Sequence, residues 1–229
     1  MCGRYVSPDE AAIEREFTLP HSGRGLPTRY NVAPTQCAPA VRRILGAVRL
    51  DLLRFGLVPF FAKGRPGKYS TINARLESIE TSASYRGPWR RAQRCILPAL
   101  GFYEWQLNAD GSKRPFYIHV LDQPVFGLAG LWDRSVAQDG SAIESFTIIT
   151  LPANALLAEI HNARKRMPAI LAQAQRRAWL EGSLAEAHAV LEAYPSERLG
   201  AHPVSLRVNS PRNDDASLIE PLPAGGSLT

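Results

Sequence analysis

Cysteine is scarce in this 229-residue chain: there are three, Cys2, Cys37 and Cys95. An odd number that forms no C-x-x-C pair and lies near no histidine in sequence offers neither a disulfide framework nor the ligand spacing of a structural zinc site. No metal and no small-molecule cofactor are expected. Long apolar runs are missing as well. None approaches the roughly 18 residues that span a bilayer, and Met1-Cys2-Gly3-Arg4-Tyr5 lacks the apolar stretch of a secretory signal. The chain therefore reads as cytoplasmic, with no membrane partner.

What is present is the balance of a folded domain. Apolar residues make up 45% and charged residues 21%, which excludes a mainly disordered chain and a coiled coil. Lys and Arg outnumber Asp and Glu 27 to 21, a net charge of +6. The arginines are grouped, as in Arg42 with Arg43, Arg86 with Arg90, Arg91 and Arg94, and Arg164 with Lys165 and Arg166. One such group is more often a solvated face than a phosphate site. Several of them near aromatics keep a polyanionic partner in view.

The order of patterns points to one α+β domain with a mainly antiparallel, barrel-like β core flanked by short helices. Ser7-Pro8-Asp9-Glu10 reads as a capping box opening a first helix, with Ser7 as the cap. Leu45-Gly46-Ala47 marks a tight turn between two strands. Phe102 to Gln106 and Phe116 to Val120 form a hairpin around the turn residues Asn108 to Gly111. Val125 to Trp132 and Phe146 to Thr150 read as further strands. Asn154 to Ile160 and Ile170 to Leu180 read as helices, Ser183 to Glu186 as a capping box for another, and His202 to Val208 as a last strand. Strands and helices do not alternate as in a doubly wound sheet. The domain is expected over residues 1–209, followed by a partly flexible tail over 210–229.

Cys2 is the most suggestive residue. Removal of Met1 would leave an α-amine, with an ordinary pKa of about 7.7–8.0, and a thiol on adjacent carbons. Such a 1,2-aminothiol condenses with an aldehyde to an imine, which the sulfur closes to a thiazolidine; neither group alone gives that product. From position alone, a second residue is more often nothing in particular. In Thr71 to Glu77, Asn73 and Arg75 share a face if the segment is extended. Glu104, between Tyr103 and Trp105, is either on the wet face of its strand or a buried carboxyl with a raised pKa. His161 stands at a helix end, where a cap is commoner than a catalyst.

These pieces occur in order over nearly the whole chain: Met1-Cys2-Gly3-Arg4-Tyr5, Tyr30-Asn31-Val32-Ala33-Pro34-Thr35, Phe55-Gly56-Leu57-Val58-Pro59, Ile72-Asn73-Ala74-Arg75, Arg94-Cys95-Ile96-Leu97-Pro98, Gly101-Phe102-Tyr103-Glu104-Trp105, Ala129-Gly130-Leu131-Trp132, His161 with Arg166-Met167-Pro168, and Val204 with Val208-Asn209. As an ordered set they resemble the SRAP family, the SOS response-associated peptidases or abasic-site processing proteins. The resemblance implies covalent capture of abasic sites in single-stranded DNA. Cys2 would supply amine and sulfur, Asn73 a hydrogen bond to the adduct, Glu104 proton shuttling, and His161 acid–base work at the sugar. Arg4 and Arg75 would hold flanking phosphates, Asn31 and Pro34 would line the cleft, and Phe55, Phe61 and Arg166 would complete the DNA contacts. Phe55, Phe60 and Phe61 stand where the family commonly carries tryptophans, and Phe can still stack on bases.

The partner implied is abasic single-stranded DNA, met by a monomer that joins the nucleoid when bound. Two alternatives stay open: a cysteine peptidase with Cys2 as nucleophile and His161 as base, one form of which acts a single time on its own Met1, and a non-covalent single-strand binder indifferent to the lesion.

Overall fold

Apolar, β-branched runs become strands in the computed structural model, which describes residues 2–67 and 71–223. Strands β1 (Tyr5–Ser7) and β2 (Arg29–Val32) flank helix α1 (Glu10–Phe17). A long hairpin follows, β3 (Cys37–Ile44) and β4 (Ala47–Phe55), then the short β5 (Asn73–Arg75) and helix α2 (Arg86–Arg90). Next come β6 (Arg94–Ala99), β7 (Gly101–Leu107), β8 (Lys113–Val120), β9 (Phe126–Val136) and β10 (Ala142–Pro152). Helix α3 (Ala155–Ile160) leads to β11 (Arg166–Pro168) and β12 (Ile170–Leu171), and helices α4 (Arg176–Glu181) and α5 (Leu184–Ala189) precede β13 (Leu199–Pro203).

The expected barrel is there. β4, β3, β6, β9 and β10 pair antiparallel in succession, and β10 returns to β4 through a parallel seam, so five strands close a ring. Closure removes the unpaired edges that an open sheet would leave. A second, antiparallel sheet runs in the order β13-β8-β7-β1-β2. Apolar side chains of the ring are buried: Leu53, Phe55, Ile96, Leu97, Leu131, Phe146 and Ile148 are all fully so. Since neighbours such as Ile96 and Leu97 alternate between faces, the ring is covered by apolar packing outside as well as filled within. Each contributes about 1.5–3 kcal/mol of apolar burial if large. At the β4–β10 seam Phe55 stacks on Phe146 with ring centroids 5.0 Å apart.

Local chemistry explains most turns and ends. Leu45 and Gly46 both have left-handed φ, 50° and 85°, as the tight β3–β4 hairpin requires. At Gly101 a Cβ would come within 2.3 Å of the Tyr117 ring, so only glycine lets β7 approach β8 there. Ser183 and Glu186 form the expected capping box. The first helix is capped by Asp9, whose carboxylate accepts from the Ala12 N–H at 2.9 Å, and not by Ser7; Ser7 is held in β1 opposite Arg29. Glu10, in the first turn, ties down the following loop by accepting from the backbone of Arg24 and Leu26.

Two further elements differ from expectation. Ile170 and Leu171 pair with Leu128 and Gly127 as β12, so the helix expected from Ile170 starts only at Arg176; an available strand edge outweighs local helical spacing here. The last strand occupies Leu199–Pro203, in register with β8, and Leu206–Asn209 turn instead as a 3-10 helix in which Ser205 Oγ accepts from Arg207 N. Residues 210–223 pack onto the second sheet, with Leu218 fully buried beside Val6, Tyr103 and Val208; residues 224–229 lie outside the described part. No described helix is long and apolar enough to cross a membrane.

Candidate active site

Pairing of β1 with β7, Tyr5 opposite Phe102, lays the N-terminal segment along the strand that carries Glu104. Tyr103 N donates to Arg4 O at 3.0 Å and extends this register toward Cys2. Cys2 is fully buried. Its carbonyl accepts a hydrogen bond of 3.0 Å from Asn73 Nδ2. Asn73 reaches it because β5 runs parallel to β10, with Asn73 opposite Ile148, and because the Tyr85 hydroxyl donates to Asn73 O at 3.0 Å. The Asn73 amide oxygen is buried and has no hydrogen-bond partner among the described residues. A buried acceptor left so is costly unless a ligand donates to it.

Glu104 and His161 stand together. Glu104 is 2% exposed on β7, and burial pushes its pKa up to about 7 against the opposing pull of the Trp105 N–H. It is therefore the buried carboxyl of the two readings open from sequence. His161 closes α3, its N–H donating to Leu157 O at 2.8 Å. Its Nδ1 lies 2.9 Å from Arg166 O. A carbonyl only accepts, so Nδ1 carries the proton and Nε2 is the basic nitrogen of the neutral ring. That Nε2 is 3.8 Å from Glu104 Oε2. Burial lowers the His161 pKa, only partly opposed by the Arg166 carbonyl. The Cys2 thiol is pushed up, first by burial and then by the Glu104 charge, while the Arg4 N–H pulls the other way.

A cleft of about 680 Å³ opens on Glu104 and His161 and is walled by Trp105, Lys113, Arg164 and Asn209. Of these walls, none was marked as a site residue from sequence. Arg164 had a signal in the basic run beside Arg166, and Trp105 and Asn209 in the quoted motifs; Lys113 had none.

The remaining expected contacts divide. Arg75 is exposed at the outer end of β5, on the Asn73 side of the strand. Arg166 donates to Thr150 O at 2.6 Å and pairs with Glu77. Phe61 is 50% exposed and packs edge-on against Phe60, 54% exposed. Pro34 is partly buried in the turn after β2. Phe55 is the clear correction: at 0% exposure inside the barrel it has no surface to offer a base. Asn31 is also fully buried, its amide donating to the carbonyls of Val208, Ser210 and Asn213. Arg4 is partly buried and donates to Asn31 Oδ1 at 3.0 Å, Val208 O at 2.8 Å and Asn209 O at 3.1 Å, so its Nη1 and Nη2 are turned toward acceptors of the protein itself.

Sequence and fold both have counterparts in known proteins. A sequence model of the SOS response associated peptidase (SRAP) family matches residues 1–211. The chain belongs to the SRAP family. Among SRAP relatives, the abasic site processing protein YoqW of Bacillus subtilis is 34% identical over 227 residues, covering 96% of this chain and 99% of its own. The abasic site processing protein YedK of Escherichia coli is 30% identical over 234 residues, 97% and 100% of the two chains. The SRAP fold also matches a crystal structure of a Bacteroides thetaiotaomicron protein, with TM-score 0.85, 27% identity and coverage of 96% and 99%.

Proposed function

We propose that this SRAP chain processes abasic sites by capturing the ring-opened deoxyribose in single-stranded DNA as a thiazolidine at Cys2. Excision of Met1 turns the Cys2 amide nitrogen into an amine. That amine adds to the C1′ aldehyde and water leaves, giving an imine; the sulfur then adds to the imine carbon, its proton passing to the nitrogen. One water is lost overall. The observation that carries this reading is the convergence on Cys2 of three groups from separate elements: Asn73 on its carbonyl, and the Glu104–His161 pair beside it.

Each has a task in those steps. Glu104, poised near neutral pH, takes the proton from the attacking amine and returns it to the departing hydroxyl. His161, neutral and protonated at Nδ1, accepts and returns a proton through Nε2 at the sugar hydroxyl when the ring opens and closes. The unpartnered Asn73 oxygen receives the ring N–H of the adduct. A peptidase would need the Cys2 thiol ionised by His161, yet burial and the neighbouring Glu104 charge both oppose the thiolate. The names of YoqW and YedK, abasic site processing proteins, favour the same choice.

The test is a uracil-excised single-stranded oligonucleotide. Wild type should form an adduct that survives a denaturing gel without borohydride. Cys2→Ala should form none, and Cys2→Ser only a reducible imine. Undiminished crosslinking by Cys2→Ala would end this reading.

A further inference from the structure

The segment after β13 does more than close the second sheet. Residues 208–214 form a strap across β1 and β2. Arg4 and Asn31 hold its carbonyls at Val208, Asn209, Ser210 and Asn213. Asp214 anchors its far end, accepting from the backbone of Tyr30 at 2.5 Å and of Asn31 at 3.0 Å while pairing with Arg29. With its main chain fixed from both sides, the strap brings one exposed side chain to the cleft, that of Asn209.

The orientation of that side chain is decided by its neighbour. Trp105 Nε1 lies 2.9 Å from the Asn209 amide. An indole nitrogen only donates, so the atom facing it is the oxygen, and the –NH2 group is on the other side. Those two N–H donors have no acceptor among the described residues, and they share the cleft with the cations Lys113 and Arg164. Donors without a protein acceptor beside two positive charges suit an anionic oxygen.

We propose that Asn209, held by the strap and turned by Trp105, is a DNA-contacting residue that donates to a backbone phosphate oxygen next to the captured sugar. The proposal deepens the function given above and rests on it for the identity of the strand. It also reassigns Arg4, expected from sequence to hold that phosphate, as the residue that mounts the one that does.

Binding of an intact single-stranded oligonucleotide tests it, because that measurement does not depend on whether Cys2 reacts. Asn209→Ala removes the donors and should weaken binding about tenfold, the worth of a neutral donor on a charged oxygen. The salt slope should stay that of wild type, since no cation is lost. Asn209→Asp keeps an oxygen for Trp105, and with it the mount, but sets a negative charge against the phosphate. It should bind more weakly than Asn209→Ala at low salt, the gap closing as salt rises. Thermal unfolding of Asn209→Asp should match wild type. Binding by Asn209→Asp within a factor of about two of wild type would overturn the proposal. So would an Asn209→Ala protein that loses thermal stability but not affinity, since Asn209 would then be only a brace. Either result leaves the Cys2 reaction standing, and failure of wild type to crosslink abasic DNA would remove the reaction without touching this binding result.

Discussion

His161 Nε2 stands 3.8 Å from Glu104 Oε2, with both side chains buried. Burial drives the two in opposite directions, the carboxyl up to about 7 and the imidazole below its ordinary value, so each is biased toward its neutral form. The rate of adduct formation should therefore titrate with an apparent pKa near 7 that belongs to the pair. Glu104→Gln should slow the reaction by about 10²-fold or more and flatten that limb. Rapid-quench crosslinking across pH measures both; an unchanged profile in Glu104→Gln would remove Glu104 from proton transfer.

The same carboxyl sets a stability signature. Its folded pKa of about 7 lies above the ordinary 4.5, so the folded state holds a proton that the unfolded chain has lost between those values. The contribution is fully present below about 4.5 and is lost as pH rises through about 7. Glu104→Gln should raise the Tm at about pH 8 and leave it nearly unchanged at about pH 4. Thermal denaturation at the two pH values decides, and a lower Tm for the variant at the higher one would contradict this assignment.

The phenylalanines should separate cleanly. Phe61→Ala should weaken binding to intact single strands about fivefold or more, the low end of aromatic–base stacking, with little change in Tm. Phe55→Ala should instead cost about 3–5 kcal/mol of stability, because it empties the place stacked on Phe146 inside the barrel. Paired affinity and denaturant measurements test both.

Two arginines should part in the same way. Arg75 is exposed, so Arg75→Ala should reduce the slope of log affinity against log salt by about 0.7, one phosphate on a single strand. Arg4→Ala should leave that slope unchanged, lower stability through the carbonyls it abandons, and slow adduct formation. A slope change of equal size in both variants would show that Arg4 reaches DNA after all.

The candidate centre is legible because its members sit in short motifs. Cys2, Asn73, Glu104 and His161 could be named before any geometry, and the structure brings them together. The hairpins were legible from turn residues, as at Leu45-Gly46. What was hidden depends on distant partners. Nothing in the residues around Arg4 announces that its guanidinium meets a carbonyl 204 positions away. The parallel β4–β10 seam, which buries Phe55, leaves no local trace either. The start of α4 was misplaced because β9 offers Ile170 and Leu171 a strand edge, and Asp9 displaced Ser7 as a cap because β2 had already claimed Ser7 for the sheet.

The stitch between Arg4 and the strap also orders events during synthesis. A chain emerges N-terminus first, yet Arg4 must wait for a carbonyl 204 positions downstream before its own environment is complete. While translation proceeds, the Cys2 end is thus tethered at best by β7 and β5, without its final brace. Under the proposed function, assisted capture of an abasic sugar should accordingly begin only once the ribosome has delivered the segment that finishes the cleft.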